Sequence, residues 1–287
     1  MEAINHRRDL GVPLGSREII VDGVRLAVSR EGAGPAVICL HATGHGGRDF
    51  EAFAVRARER FEVIRVDWPG QGRSGEDDRG RARPARYAAL LRGVVMELGL
   101  EAPIIIGCSI GGATAIRYGS QYPVKALVLA NTGGLVAVTP TVARACRFFS
   151  RIFAAGAGRA WWYKAVFALY YRMVLPSSAA AAQRRRIVKA AYETAPSISD
   201  AWSGFAEPDA DIRALAVALD VPVLFAWAMG DKINQFSVNE PTIRLMKRAR
   251  VAKFKGGHAA FLEQPELFIR QFQTFIDETK RETCLSV

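Results

Sequence analysis

A serine hydroxyl becomes a nucleophile only when a base takes its proton, and that base needs an acid to hold its tautomer and stabilise its charged form. The chain offers few ways to fill these roles. Ser109 stands in Gly107-Cys108-Ser109-Ile110-Gly111-Gly112, directly between the apolar run 103–106 and the helix-forming run 113–118. A buried strand must therefore turn into a helix within two residues. That turn presses the positions two before and two after the serine together, leaving room for hydrogen at Gly107 and Gly111 but not for a β-carbon. It lifts the hydroxyl above the sheet edge and aims the first helical amides at whatever the serine attacks, which suits the stabilisation of an oxyanion.

Four histidines compete for the role of base. His6 lies in the N-terminal tail, His41 and His45 in the glycine-rich loop after an early strand, and His258 in a glycine-flanked loop after the last strand. His258 is the base the order favours. Ligand sites in an open parallel sheet gather at the carboxyl ends of strands, so the acid should follow a strand as well. Asp231 does, four residues after Trp227, whereas Asn131 carries no acid and Asp220 lies at the wrong end of its strand.

The elements that must position these residues follow from hydrophobic patterning. The runs 17–21 and 24–29, separated by Asp22-Gly23, read as a hairpin. Nearly all-apolar strands are expected at 35–40, 61–66, 103–106, 124–130, 222–227 and 251–254, with helices at 49–60, 87–98, 211–219, 239–248 and 265–278. Strands buried on both faces and alternating with helices indicate an α/β protein built on a mostly parallel, doubly wound sheet. The rhythm stops at Leu135 and resumes at 207, and between them only helix-like stretches occur, at 142–154, 160–175 and 179–192. An insertion of that length after the sixth strand reads as a helical cap, residues 135–206, over a core formed by 1–134 and 207–287.

The segments Gly107 to Gly112, Gly230-Asp231 and Gly257-His258-Ala259-Ala260-Phe261-Leu262-Glu263-Gln264-Pro265, in that order, resemble the α/β-hydrolase superfamily, whose triad runs serine, acid, histidine. Asp67-Trp68-Pro69-Gly70-Gln71-Gly72-Arg73-Ser74 resembles the same superfamily's loop after the fourth strand, so the likeness runs from about residue 17 to 280. It implies a triad of Ser109, Asp231 and His258 and an oxyanion hole made by the backbone amides of Thr43 and Ile110. The superfamily usually has His-Gly after its third strand, and here His41-Ala42 stands instead. Serine at the elbow argues against haloalkane dehalogenases and epoxide hydrolases of this fold, whose alkyl-enzyme chemistry needs aspartate there.

The activity expected is hydrolysis of a carboxylic ester or thioester through an acyl-enzyme. Two other uses of the fold stay open: a carbon–carbon hydrolase of ring-cleavage products, and a non-hydrolytic ligand-binding receptor or lyase. No metal or organic cofactor is implied. His45, Trp161 and Trp162 are candidate substrate contacts, His41 and Asp67 are expected to fix their loops, and Cys108 should pack away from the pocket.

Composition bounds the rest. The 287 residues are 50 % hydrophobic, enough for one large core with an insert, and no run of 18 apolar residues exists. The tail 1–8 is polar without a signal-peptide core, which predicts a cytoplasmic protein. Cys39, Cys108, Cys146 and Cys284 lack metal or redox spacing, so no disulfide is expected. Of the net charge of +11, residues 136–205 hold +8, ten Lys and Arg against two Asp and Glu. These cations suit an anionic or carrier-linked acyl substrate, with solvated helix faces as the plain alternative. They accompany no nucleic-acid-reading module.

Overall fold

The computed structural model describes residues 14–78 and 80–285; the N-terminal tail with His6, and the Cys284 side chain, lie outside the described residues. The hairpin forms as β1 (Leu14–Val21) and β2 (Val24–Glu31). Asp22 and Gly23 join them at positive φ, 50° and 78°, the backbone a two-residue hairpin turn requires.

Six further strands, β3 (Ala36–Leu40), β4 (Glu62–Val66), β5 (Ile104–Cys108), β6 (Ala126–Ala130), β7 (Val223–Ala228) and β8 (Ala249–Phe254), pair in parallel in the order β4-β3-β5-β6-β7-β8. The hairpin adds to the β4 edge in antiparallel pairing, which makes an eight-stranded sheet. Helices α1 (Glu51–Ala57), α2 (Pro84–Glu97) and α3 (Ile110–Gly119) connect the first parallel strands. The connection from β6 to β7 holds α4 (Pro140–Ala157), α5 (Tyr163–Val174), α6 (Ala181–Lys189) and α7 (Ala191–Gly204), followed by α8 (Arg213–Ala218). Then come α9 (Phe236–Leu245) and, after β8, α10 (Ala260–Glu263) and α11 (Pro265–Leu285). Among the described residues no helix is long and apolar enough to cross a membrane.

Why the strands are apolar throughout is visible in their alternation. In β5, Ile104, Ile106 and Cys108 enter one core cluster while Ile105 enters the other; in β6, Ala126, Val128 and Ala130 face one side and Leu127 and Leu129 the other. Each fully buried Leu or Ile contributes about 1.5–3 kcal/mol relative to exposure. Aromatic rings dominate both layers. Phe53 packs edge-on against Phe268 and Phe272 on one side, and Trp68 stacks on Tyr87 at 4.2 Å on the other.

Besides shifted element ends and the unexpected short α10, two departures from the expected elements bear on the site. The stretch 49–60 is a short 3-10 turn at Gly47–Phe50 followed by α1, not one helix. The insertion has four helices where three were expected. Pro196 lies inside α7, and a proline, which lacks an amide donor, conceals a helix from sequence patterning. Tertiary packing supports it: Trp202 stacks on Phe149 of α4 at 4.6 Å, and the Ser199 hydroxyl donates to the Ser150 carbonyl at 2.9 Å.

At the elbow a β-carbon added to Gly107 would stand 2.4 Å from the Gly111 oxygen, and one added to Gly111 would stand 2.3 Å from the Leu40 oxygen. Both obstacles are backbone, so neither can yield cheaply. Gly107→Ala is therefore expected to lower unfolding free energy by about 3 kcal/mol or more in urea titrations. Gly99→Ala, with positive φ and open space around it, should cost only about 1 kcal/mol. Equal losses at the two positions would contradict the steric account.

Candidate active site

Ser109 is the N-cap of α3 with φ 55° and ψ −115°, a conformation that strains any residue with a side chain. Hydrogen bonds hold it there. Its amide donates to the Ala130 oxygen at 3.1 Å, and its carbonyl accepts from the amides of Gly112, Ala113 and Gly133. The carboxyl ends of β5 and β6 thus fix the hydroxyl at the mouth of a cavity.

His258 and Asp231 meet across the ends of β8 and β7. The ring Nδ1–H donates to Asp231 Oδ2 at 2.6 Å, which leaves Nε2 as the ring's other nitrogen on a residue that lines the same cavity as Ser109. The carboxylate is nearly fully buried and is satisfied on both oxygens. Oδ1 accepts the amides of Ile233 (2.8 Å) and Asn234 (3.0 Å), and Oδ2 also accepts from Asn131 Nδ2 at 2.7 Å. Burial alone would raise this carboxyl, but the facing imidazole and the amide donors win and hold it below the usual range. Burial likewise favours the neutral imidazole, yet the charge and hydrogen bond of Asp231 raise His258 above its ordinary 6.5.

The loop after β3 brings backbone amides to the opposite wall. Thr43 lines the cavity; Ile110 is the first residue of α3, so its amide has no partner within the helix. The Ile110 side chain is fully buried in the core, which leaves only its backbone for chemistry. Two residues fix this loop. His41 Nε2 accepts the Trp68 amide at 3.0 Å while its Nδ1–H donates to the Ala42 oxygen at 2.7 Å, and burial lowers its basicity. Asp67 accepts the amides of Gly47 (2.6 Å) and Arg73 (3.0 Å).

His45 is buried and lines the cavity, with its Nδ1–H donating to Asp49. Asp49 in turn accepts from Gln183 and from Arg186 (2.8 Å) of α6, which ties the loop to the insertion. Cys108 is buried with its thiol pushed up by desolvation and its Sγ near the His258 oxygen at 3.5 Å, as expected for packing.

Trp161 and Trp162 require correction as substrate contacts. Trp161 is 90 % exposed, and neither residue lines the cavity, because Trp162 packs on the core from the start of α5. The aromatic residues that do line it are Tyr170, Tyr171, Trp202 and Phe205, with Val142 and Ile198 among the aliphatic walls of a space of about 190 Å³. Both stand in the turn before α5, which leaves one in solvent and packs the other on the core, and residue type alone does not reveal this.

Three residues that sequence reasoning passed over hold the site together. Asn131, set aside as unable to act as an acid, clamps Asp231 and brackets Ala228 through both its amide nitrogen and its oxygen. Gln71 accepts the Gly44 amide at 2.6 Å and donates to the Tyr87 hydroxyl at 3.2 Å, linking the Thr43 loop to α2. Buried Glu263 accepts the amides of Gly257 and of Ser177 (2.9 Å), and the His258 amide donates to the Val174 oxygen at 2.7 Å. The histidine loop is thereby fastened to the segment after α5. Their positions beside motif residues were the only available signal. Among the described residues no group of three His, Cys, Asp or Glu side chains is arranged to hold a metal ion.

Comparison with known proteins gives the same outline. A family model described as "Alpha/beta hydrolase family" matches residues 37–271. An uncharacterized protein of Mycobacterium bovis is 26 % identical over 289 residues, covering 91 % of this chain and 80 % of its own length. A pimeloyl-[acyl-carrier protein] methyl ester esterase of Neisseria meningitidis is 27 % identical over 249 residues, covering 84 % of this chain and 92 % of its own. Among solved structures, a thermophilic esterase from Thermogutta terrifontis superposes with a TM-score of 0.76 at 20 % identity, covering 92 % of this chain and 98 % of that one.

The Asp231–His258 pair makes a titration prediction. A His258 value above 6.5 stabilises the fold at low pH and loses that contribution as pH rises through the folded value; an Asp231 value below 3.8 stabilises it at high pH and loses that contribution as pH falls through the folded value. Both contributions are present together between about pH 4 and 6.5. The His258 ring, followed by its Cε1 proton in NMR, should titrate above 6.5 in the wild type and distinctly lower in Asp231→Asn. An unchanged titration in the variant would remove Asp231 as its partner.

Proposed function

The chain belongs to the alpha/beta hydrolase family, and from that premise we propose that it cleaves a carboxylic ester or thioester through Ser109. The observation that carries this reading is the Asp231–His258 hydrogen bond on the rim of the cavity that Ser109 lines. Asp231 orients the ring and stabilises its cation, so that Nε2 takes the Ser109 proton as Oγ adds to the carbonyl carbon. The amides of Thr43 and Ile110 hold the negative oxygen of the tetrahedral adduct. Collapse expels the alcohol or thiol, which leaves with the proton from Nε2. Water, deprotonated by the same nitrogen, then attacks the acyl-serine and releases the carboxylic acid and the free serine hydroxyl.

Residues 135–206 act in this reading as a cap over a core formed by the remainder. The apolar wall contributed by Val142, Ile198, Trp202 and Phe205 suits an apolar acyl group, because burying its surface supplies affinity without directional contacts. A carrier-linked acyl ester is a second form of substrate, favoured by the likeness to the pimeloyl-[acyl-carrier protein] methyl ester esterase.

Incubation with a fluorophosphonate followed by intact mass should give one adduct on the wild type and none on Ser109→Ala, and ester turnover in that variant should fall by about 10³-fold or more. Undiminished turnover in Ser109→Ala would sink the proposal. Because the base must be neutral to accept the serine proton, kcat/KM should rise with pH through a midpoint above 6.5. In Asp231→Asn that midpoint should move down while the plateau drops by about 10²-fold or more.

A further inference from the structure

The solvent sides of α4 and α5 take no part in the proposed chemistry. Between Glu101 and Glu193 the sequence has no acidic residue at all, and this stretch contains the first three helices of the insertion. Arg144, Arg147 and Arg151 recur at three- and four-residue spacing, so they stand in one exposed stripe along α4. Lys164 and Arg172 are exposed on α5. None of these five has an acidic partner among the described residues, whereas Arg65 and Arg86 in the core are paired with carboxylates.

Large apolar side chains stand out among these cations. Trp161 is 90 % exposed, Leu169 68 % and Phe148 61 %. Trp161 stands in the turn that leads into α5, Leu169 on the exposed side of that helix, and Phe148 beside the α4 stripe. The opposite faces of the two helices are accounted for: Phe153 of α4 packs against Phe167 and Tyr170 of α5 at 6.2 Å and 5.3 Å. The exposed residues are therefore turned away from the core and from the cavity.

We propose that this face docks the protein onto an anionic lipid surface, with the arginines and lysine against the headgroups and Trp161, Leu169 and Phe148 inserted at the level of the acyl boundary. Charge complementarity names the sign of the partner, since five exposed cations on two helices that carry no acidic residue attract anionic membranes. The protruding rings name its kind. An indole left almost wholly in water beside leucine and phenylalanine finds in a bilayer interface a medium that takes apolar tips in any arrangement, whereas a folded acidic protein would need a matching hollow for each. Arg184 and Arg186 play no part, because the first donates to the Ser177 carbonyl and the second to Asp49 within the protein.

The test needs no turnover, so it stands or falls separately from the esterase reading. The full chain is sedimented with sucrose-loaded vesicles of phosphatidylcholine, with and without about 30 % phosphatidylglycerol, and the anionic vesicles should bind it at least about tenfold better at low salt. The triple reversal R144E/R147E/R151E should abolish the difference, and W161S/L169S should weaken binding several-fold. Thermal melts establish that each variant is folded, and if the triple reversal does not fold, W161S/L169S decides. Wild type that stays in the supernatant, binds both vesicles equally, or binds normally with either variant set overturns the proposal. So does a purified acidic acyl carrier protein that binds the wild type but not the triple reversal while vesicles do not.

Discussion

The close approach of three strand ends at the elbow is the constraint from which the rest of the site follows. β5 can deliver Ser109 above the sheet only because Gly107 passes within a β-carbon's width of Gly111, and Gly111 in turn lies against the carbonyl of Leu40 at the end of β3. The same contact places the start of α3 beside the loop that carries Thr43. A serine held at φ 55° is strained, and the strain persists because the amide of Ser109 is bound to β6 and its carbonyl to three amides. The proposed nucleophile and the proposed anion-stabilising amides thus share one backbone arrangement.

Among the carboxylates buried around that arrangement, three are tolerated for separate reasons. Asp231 is surrounded by donors and an imidazole, Asp49 by His45, Gln183 and Arg186, and Glu263 by two backbone amides. Burial raises Glu263, whose donors are neutral amides, while Asp231 is lowered because its partner can carry charge. Asp49 and Glu263 both accept from the insertion, so the helices that wall the cavity are tied to the loops on either side of Ser109. Pocket shape and site geometry are therefore coupled through polar contacts and not through the apolar walls alone.

How much of this was legible in the sequence follows from the range of the interactions. Ser109, His258 and Asp231 could be read because each sits at the end of a short apolar run, and strand polarity puts those ends on one edge of the sheet. The meeting of His258 with Asp231 needed only that edge. Asn131 and Gln71 were not legible as parts of the site, since the partner of Asn131 is 100 residues away and those of Gln71 are 27 and 16 residues away. The fourth insertion helix was hidden by Pro196, and Trp161 and Trp162 were misassigned because the turn before α5 leaves one in solvent and packs the other on the core, which residue type does not reveal.

The His258–Asp231 pair also sets stability and chemistry against one another. The hydrogen bond that raises the histidine stabilises the fold most when the ring is charged, below its raised value. A ring that is already charged cannot accept the serine proton. As pH rises through that value the pair gives up part of its stabilising contribution in the same step that frees Nε2 to act as the proposed base. Asn131 and the two amides on Asp231 matter at that point, because they keep the carboxylate bound and ionised whichever form the ring takes. The carboxylate is held by the scaffold, so that in the proposed reaction the imidazole alone changes charge.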